Sequence, residues 1–167
     1  ARTATLTAPS PYSSNYFGVS VSMSGNFLAI GEQRRNHIQS YSGTVYLYKI
    51  NANGTAQLTA TLHSPNPSYQ GYFGFSVDLS GDRLVVGAYN ENSEIASNSG
   101  SAYIYKVKPD GSVSLLEVLT HPSGKDSDRM GISVGTSGQF TIVGADNFDP
   151  PPDKWSAGGA VLFRSSF

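Results

Sequence analysis

Short runs of alternating apolar and polar residues recur along the chain, each closed by a Ser-Gly pair and followed by an unbroken apolar run. In "YFGFSVDLSGDRLVVGAY" (72–89) alternation runs from Phe73 to Leu79, and the apolar run Leu84–Val86 follows the turn at Gly81-Asp82. Alternation with period two sets one group of side chains on a single face of a pleated strand. A tight turn containing glycine returns the chain antiparallel. A polar loop follows, then a second alternating run, "SAYIYKV" (101–107), an Asp110-Gly111 turn, and "VSLLEVL" (113–119). The pattern predicts a meander of four strands, here a to d in order. No segment keeps a 3.6-residue apolar period for three turns, so helices are not expected.

The set occurs three times. "YFGVSVSMSGNFLAIGEQ" (16–33) and "RMGISVGTSGQFTIVGAD" (129–146) match 72–89, and the anchors Gly18, Gly74 and Gly131 are spaced 56 and then 57 residues. Gly25, Gly81 and Gly138 repeat at the same spacing, as do Gly31, Gly87 and Gly144. The c segments "SGTVYLYK" (42–49), "SGSAYIYK" (99–106) and "GGAVLFR" (158–164) repeat as well, and so do the d segments "AQLTATL" (56–62) and "VSLLEVL" (113–119). A long period with fixed glycines marks a repeat architecture. Four antiparallel strands per repeat in meander order make a β-propeller blade. The expected fold is therefore all-β, one domain over 1–167, with repeats at about 8–62, 63–119 and 120–167. The N-terminal "RTATLT" (2–7) has the form of a d strand placed ahead of the first a strand, and the third repeat shows no d strand after "AVLFRSSF" (160–167). That order predicts a permuted arrangement. Three blades are too few to close a ring, which predicts either a head-to-tail dimer of six blades or further blades from another segment.

Composition narrows the partners. The formal net charge is −1 and no basic block exists, which argues against nucleic acid and anionic membranes. No apolar run has the length of a membrane span. The chain has no cysteine, so disulfides and thiolate-bound zinc are excluded.

The succession Phe-Gly-x-Ser-Val, Ser-Gly-Asp, Val-Val-Gly-Ala and Gly-x-Ala-Tyr-Ile-Tyr resembles the FG-GAP repeat, which builds the propeller head of integrin α chains and of many secreted or surface proteins. The second copy matches best. The first has Gly31-Glu32-Gln33 in the Gly-Ala-Pro position, and the third has Met130-Gly131 for Phe-Gly. Many members carry a calcium loop of Asp and Asn. The tight turns here leave no room for one, so the chain resembles the short, calcium-free variety. The resemblance implies adhesion or recognition of protein or glycan outside the cytoplasm, at the cell surface or beyond it, without a cofactor.

Candidate chemistry lies in the b–c loops, since loops on a rigid scaffold carry function more often than strands do. In the first, His37 sits beside Arg34 and Arg35, which suit a carboxylate. The second (89–100) offers Tyr89, Asn90 and Asn92 for a polar ligand. The third (146–159) carries Asp146, Asn147, Asp149, Asp153 and Trp155. Trp155, the sole tryptophan, is read either as a sugar-stacking platform or as a plug over the blade edge. The three aspartates are the candidates for a hard cation. Asn53-Gly54-Thr55 is a glycosylation sequon within a turn. "GISVG" (131–135) has the form of a serine-hydrolase elbow, but Ser133 is the third copy of Ser20 and Ser76 in mid-strand, which is not the strand-to-helix turn that chemistry needs. His63 and His121 fall a blade apart on d–a linkers and are expected to be exposed. The expectation is a non-enzymatic binding module using the b–c loops. The alternative is a structural block that assembles into a ring or fibre.

Overall fold

The computed structural model describes residues 4–121, 123–150 and 156–166. The described residues form three antiparallel sheets and no helix. The first contains β1 (Phe17–Ser24), β2 (Phe27–Glu32), β3 (Thr44–Ile50) and β4 (Ala56–Leu62). The second contains β5 (Ser76–Ser80), β6 (Arg83–Ala88), β7 (Ser101–Val107) and β8 (Val113–Leu119). The third contains β9 (Met130–Ser137), β10 (Phe140–Ala145) and β11 (Gly159–Arg164). Within each sheet, neighbours in sequence are neighbours in space, as the meander pattern predicts. The two-residue turns after β1, β5 and β9 begin with Gly25, Gly81 and Gly138 at φ 57°, 61° and 56°, a conformation glycine reaches without a Cβ penalty.

The sheets stack as propeller blades. The first strands of the three sheets, β1, β5 and β9, lie side by side. Between the first two sheets, Ala29, Val45, Leu47 and Leu62 meet Val77, Leu79, Val86 and Tyr103 in one buried cluster. Between the second and third, Val85, Ala102 and Ile104 meet Met130, Val143 and Phe163. Each large apolar side chain fully buried here stabilises by about 1.5–3 kcal/mol relative to exposure. The tyrosines of β7 thus pack between sheets. Those of β3, Tyr46 and Tyr48, lie on the front of the first sheet with Ile30, where Leu6 covers them.

The repeated glycines and serines form the joints. The Phe73-Gly74 corner enters the second sheet and presses on the first, with the Gly74 carbonyl accepting from Ser20 Oγ at 2.8 Å. One sheet later, the Gly131 carbonyl accepts from Ser76 Oγ at 2.8 Å. A Cβ on Gly31 would lie 1.9 Å from the Gly74 oxygen, and one on Gly87 would lie 2.1 Å from the Gly131 oxygen. No real Cβ approaches backbone so closely, so these positions require glycine. The Asp78 carboxylate links all three first strands: it accepts from Ser22 Oγ at 3.1 Å and from the Thr136 amide at 2.7 Å.

The predicted N-terminal strand differs. Residues 4–7 form no strand, and residues 2 and 3 lie outside the described residues. The front of the first sheet offers this segment side chains rather than an open ladder, so Leu6 packs without backbone pairing.

Candidate ligand-binding face

The b–c loops and d–a linkers meet at the end of the sheets where β1, β5 and β9 begin. Tyr16, Tyr72 and Arg129 occupy the same place in the three copies, at φ 60°, 56° and 61°. Each carbonyl accepts a hydrogen bond from the amide three residues on: Val19 at 3.1 Å, Phe75 at 3.0 Å and Ile132 at 3.3 Å. The left-handed residue and the glycine two positions later fold the chain sharply into the first strand, which holds the preceding side chain at the loop end.

These side chains form a row of aromatic rings and guanidinium groups across the sheets. The Arg34 guanidinium lies 4.6 Å from the Tyr16 ring centroid and 5.9 Å from that of Tyr41. Tyr72 stacks on Tyr89 at 5.3 Å, and Phe75 meets Tyr89 edge-on at 4.6 Å. Arg129 lies 4.9 Å above the Tyr89 ring, and its Nη1 is 3.3 Å from Asp146. Burial, with Tyr72 alongside, holds the Tyr89 phenol above its ordinary range, and Arg129 opposes that shift. Arg34 Nε is buried and has no acceptor among the described residues. Cation–π contacts of this kind contribute about 0.5–1 kcal/mol at exposed sites.

Three of the sequence candidates, Tyr89, Arg34 and Asp146, stand in this row. The others serve the scaffold. The Asn90 amide donates to the Gln70 carbonyl at 3.0 Å, and Asn147 repeats the bond to Ser127 at 2.9 Å, so both clamp a d–a linker to a b–c loop. Asn92 shapes its own loop by accepting from the Asn98 amide at 2.9 Å. Arg35 donates to the Ser10 carbonyl at 2.7 Å and fastens the N-terminal segment. Asp149 accepts from the Ser156 amide and lies 4.0 Å from Lys125. Trp155 and Asp153 lie outside the described residues. No group of three or more metal-ligating side chains occurs among the described residues. Asn53 accepts from Thr55 inside its exposed turn.

His37 is an exposed loop residue, whereas His63 and His121 are half-buried rather than exposed. His37 stacks on His63 at 3.7 Å, and His63 Nδ1 meets Thr44 Oγ1 at 3.1 Å. Burial and the neighbouring His37 lower the His63 pKa. His121 packs on Phe148 at 4.7 Å. Sequence reading also missed Tyr16, Tyr41, Tyr72 and Arg129. A signal for three of them was present: Tyr16 and Tyr72 precede Phe-Gly at the repeat spacing, and the third copy replaces that tyrosine with arginine.

A cleft of about 570 Å³ opens on the same end, lined among others by Asn66, Glu94, Ile95, Tyr103 and His121. Behind it lies Glu91, fully buried, whose Oε2 accepts from the Tyr103 hydroxyl; Ser64 Oγ donates to that hydroxyl at 3.2 Å. Oε1 of Glu91 has no partner among the described residues, and burial pushes the carboxyl up to about 8.

The FG-GAP repeat family matches this sequence over residues 1–48 and 57–105. The chain belongs to that family, and its fold is the β-propeller type that the stacked sheets define. No curated protein matches it. Among solved structures, it is similar to the periplasmic gluconolactonase PpgL of Pseudomonas aeruginosa, with a TM-score of 0.57 and 16% identity. The match covers 88% of this chain and 39% of that one. At that identity the likeness speaks for the fold. It nevertheless overturns the expectation that the chain is not an enzyme. A lactonase shares this fold, so a missing nucleophile–base pair in the repeat comparison is no ground for excluding catalysis.

Proposed function

We propose that the chain is a recognition module that binds a carboxylate-bearing ligand, a glycan before a protein, through its b–c loop end. The row Tyr16–Arg34–Tyr41 carries this reading. Tyrosine faces suit the C–H face of a sugar, and a guanidinium held between two rings is already oriented for a carboxylate, so little entropy is lost on binding. The 570 Å³ cleft on the same end of the sheets lies within the size range of ligand sites, roughly 300–1,000 Å³. The family resemblance supports an extracellular or cell-surface setting.

The test is a glycan array that includes uronic acids and neutral sugars, followed by titration calorimetry on any hit. Arg34→Ala is expected to weaken binding of an acidic sugar by at least about tenfold, the equivalent of 1.4 kcal/mol. An array with no hit, or a hit indifferent to both Arg34→Ala and Tyr16→Ala, sinks the reading. A panel of sugar lactones belongs in the same series, and turnover abolished by these substitutions would make the face catalytic rather than purely binding.

A further inference from the structure

At the end of the sheets opposite the b–c loops, a second cleft separates the first sheet from the second. It has a volume of about 440 Å³, and Asn26, Phe27, Lys49, Asp82, Lys106 and Lys108 are among its lining residues. The repeat explains why cations meet here. Lys49 and Lys106 hold the same place in consecutive copies, near the ends of β3 and β7, opposite Phe27 and Arg83 in the antiparallel ladders. Stacking the two sheets brings both lysines to one opening, and Lys108 joins them from the turn that follows β7. The sequence shows no basic block because these side chains come from different sheets.

The walls are fixed by contacts between the two sheets. Gly111, at φ 86°, sets the β7–β8 turn against β4, where a Cβ would lie 2.5 Å from Thr59 Cβ. Lys49 Nζ reaches across and donates to the Pro109 carbonyl at 2.7 Å, with its ammonium 5.6 Å from the Phe27 ring centroid. On the other side, the Gly81 amide donates to Ser24 Oγ at 3.0 Å, which ties the β5–β6 turn to β1. The cleft lies between sheets in mutual contact, so it owes nothing to the outer faces of the first and third.

Charge in the cleft is unbalanced. Three lysines line it against one carboxylate, Asp82, in a chain whose net charge is −1. Lys106 lies 3.4 Å from Asp82, with the two side chains 54% and 65% exposed. An exposed pair of this kind is weak in water, so Lys106 can exchange Asp82 for a ligand anion. Asp110, in the adjoining turn, is engaged by Ser112, whose amide and hydroxyl donate to its Oδ1 at 2.9 and 2.7 Å. Ammonium groups are compact point charges without the planar fork that matches a carboxylate, and they suit a tetrahedral oxyanion. Phe27, Val107 and Pro109 give the same cleft apolar surface for a carbon skeleton.

We propose that this cleft binds a sulfate or phosphate ester carried on a small carbon skeleton. The ester oxygens accept from the ammonium groups of Lys106 and Lys108, Lys49 holds the wall at Pro109 and adds its charge, and Phe27 flanks the skeleton. The site is separate from the b–c loop end and does not rest on the reading given to that end.

Titration calorimetry with phenyl phosphate, phenyl sulfate and benzyl alcohol is the test. At least one ester is expected to bind and the alcohol is not; which ester binds tells a phosphate from a sulfate ligand. The double variant Lys106→Gln/Lys108→Gln changes two exposed side chains. It is expected to keep the wild-type melt and to weaken binding by at least about tenfold. Asp82→Asn removes the competing carboxylate and is expected to tighten binding at least about twofold, a gain that loss of a merely structural contact would not give. Arg34→Ala is expected to leave the affinity unchanged, which separates failure here from failure of the b–c loop reading. No binding of either ester up to about 10 mM, or the alcohol bound as tightly as the esters, overturns the proposal. So does an affinity indifferent to the double lysine variant, or an Asp82→Asn without the gain.

Discussion

Gly87 and Gly144 are the same residue of the repeat in different surroundings. A Cβ on Gly87 would meet the Gly131 oxygen at 2.1 Å and Ser76 Oγ at 2.2 Å, and the first of these is backbone that cannot turn aside. Gly87→Ala is expected to cost about 3 kcal/mol or more, measured by urea denaturation, while Ser76→Ala, which deletes one hydroxyl, costs about 1 kcal/mol. Equal losses in the two variants would show that the sheets re-space freely. Glu91 gives a pH dependence. Its folded-state pKa of about 8 lies above the ordinary 4.5, so the folded chain holds the proton more tightly than the unfolded chain. Its contribution to stability is complete below pH 4.5 and is lost as pH rises through 8. Glu91→Gln should flatten that decline in melts taken across the interval, and a decline unchanged in the variant would assign it to other groups.

At the scale of elements, strands and turns were legible because their causes are local. Period-two alternation, Ser-Gly-Asp turns and the 56-residue spacing are written in consecutive residues. The row of rings and guanidinium groups was not, because Arg34, Tyr89 and Arg129 come from three sheets and no single segment shows their proximity. Glu91 looked like a solvated side chain in a polar loop. It is buried because Gly71 leaves room: a Cβ there would lie 2.8 Å from Glu91 Cγ. Asp78 read as the polar member of an alternating strand and proves to be a link between strands. Asp78→Ala is expected to leave the Thr136 amide without an acceptor and to cost about 1–3 kcal/mol in denaturant melts. A loss no larger than that of Asp82→Ala, whose Lys106 pair is exposed on both sides, would contradict this.

At the scale of the whole molecule, charge contributes little. The net charge is −1, and the pairs Lys106–Asp82, Lys125–Asp149 and Arg129–Asp146 lie at least partly in solvent. Raising sodium chloride from low to high concentration should move the melting temperature by less than about 2 °C. A larger drop would reveal a charge network. The order in which sheets clasp one another also has a mechanical consequence. Among the described residues the second sheet is gripped on both faces, and the first and third on one face each. A chain held at its two ends and stretched should therefore come apart in an ordered series of length jumps. The third sheet should let go early, once the Ser76 and Asp78 links to it part, and the second should hold to the last.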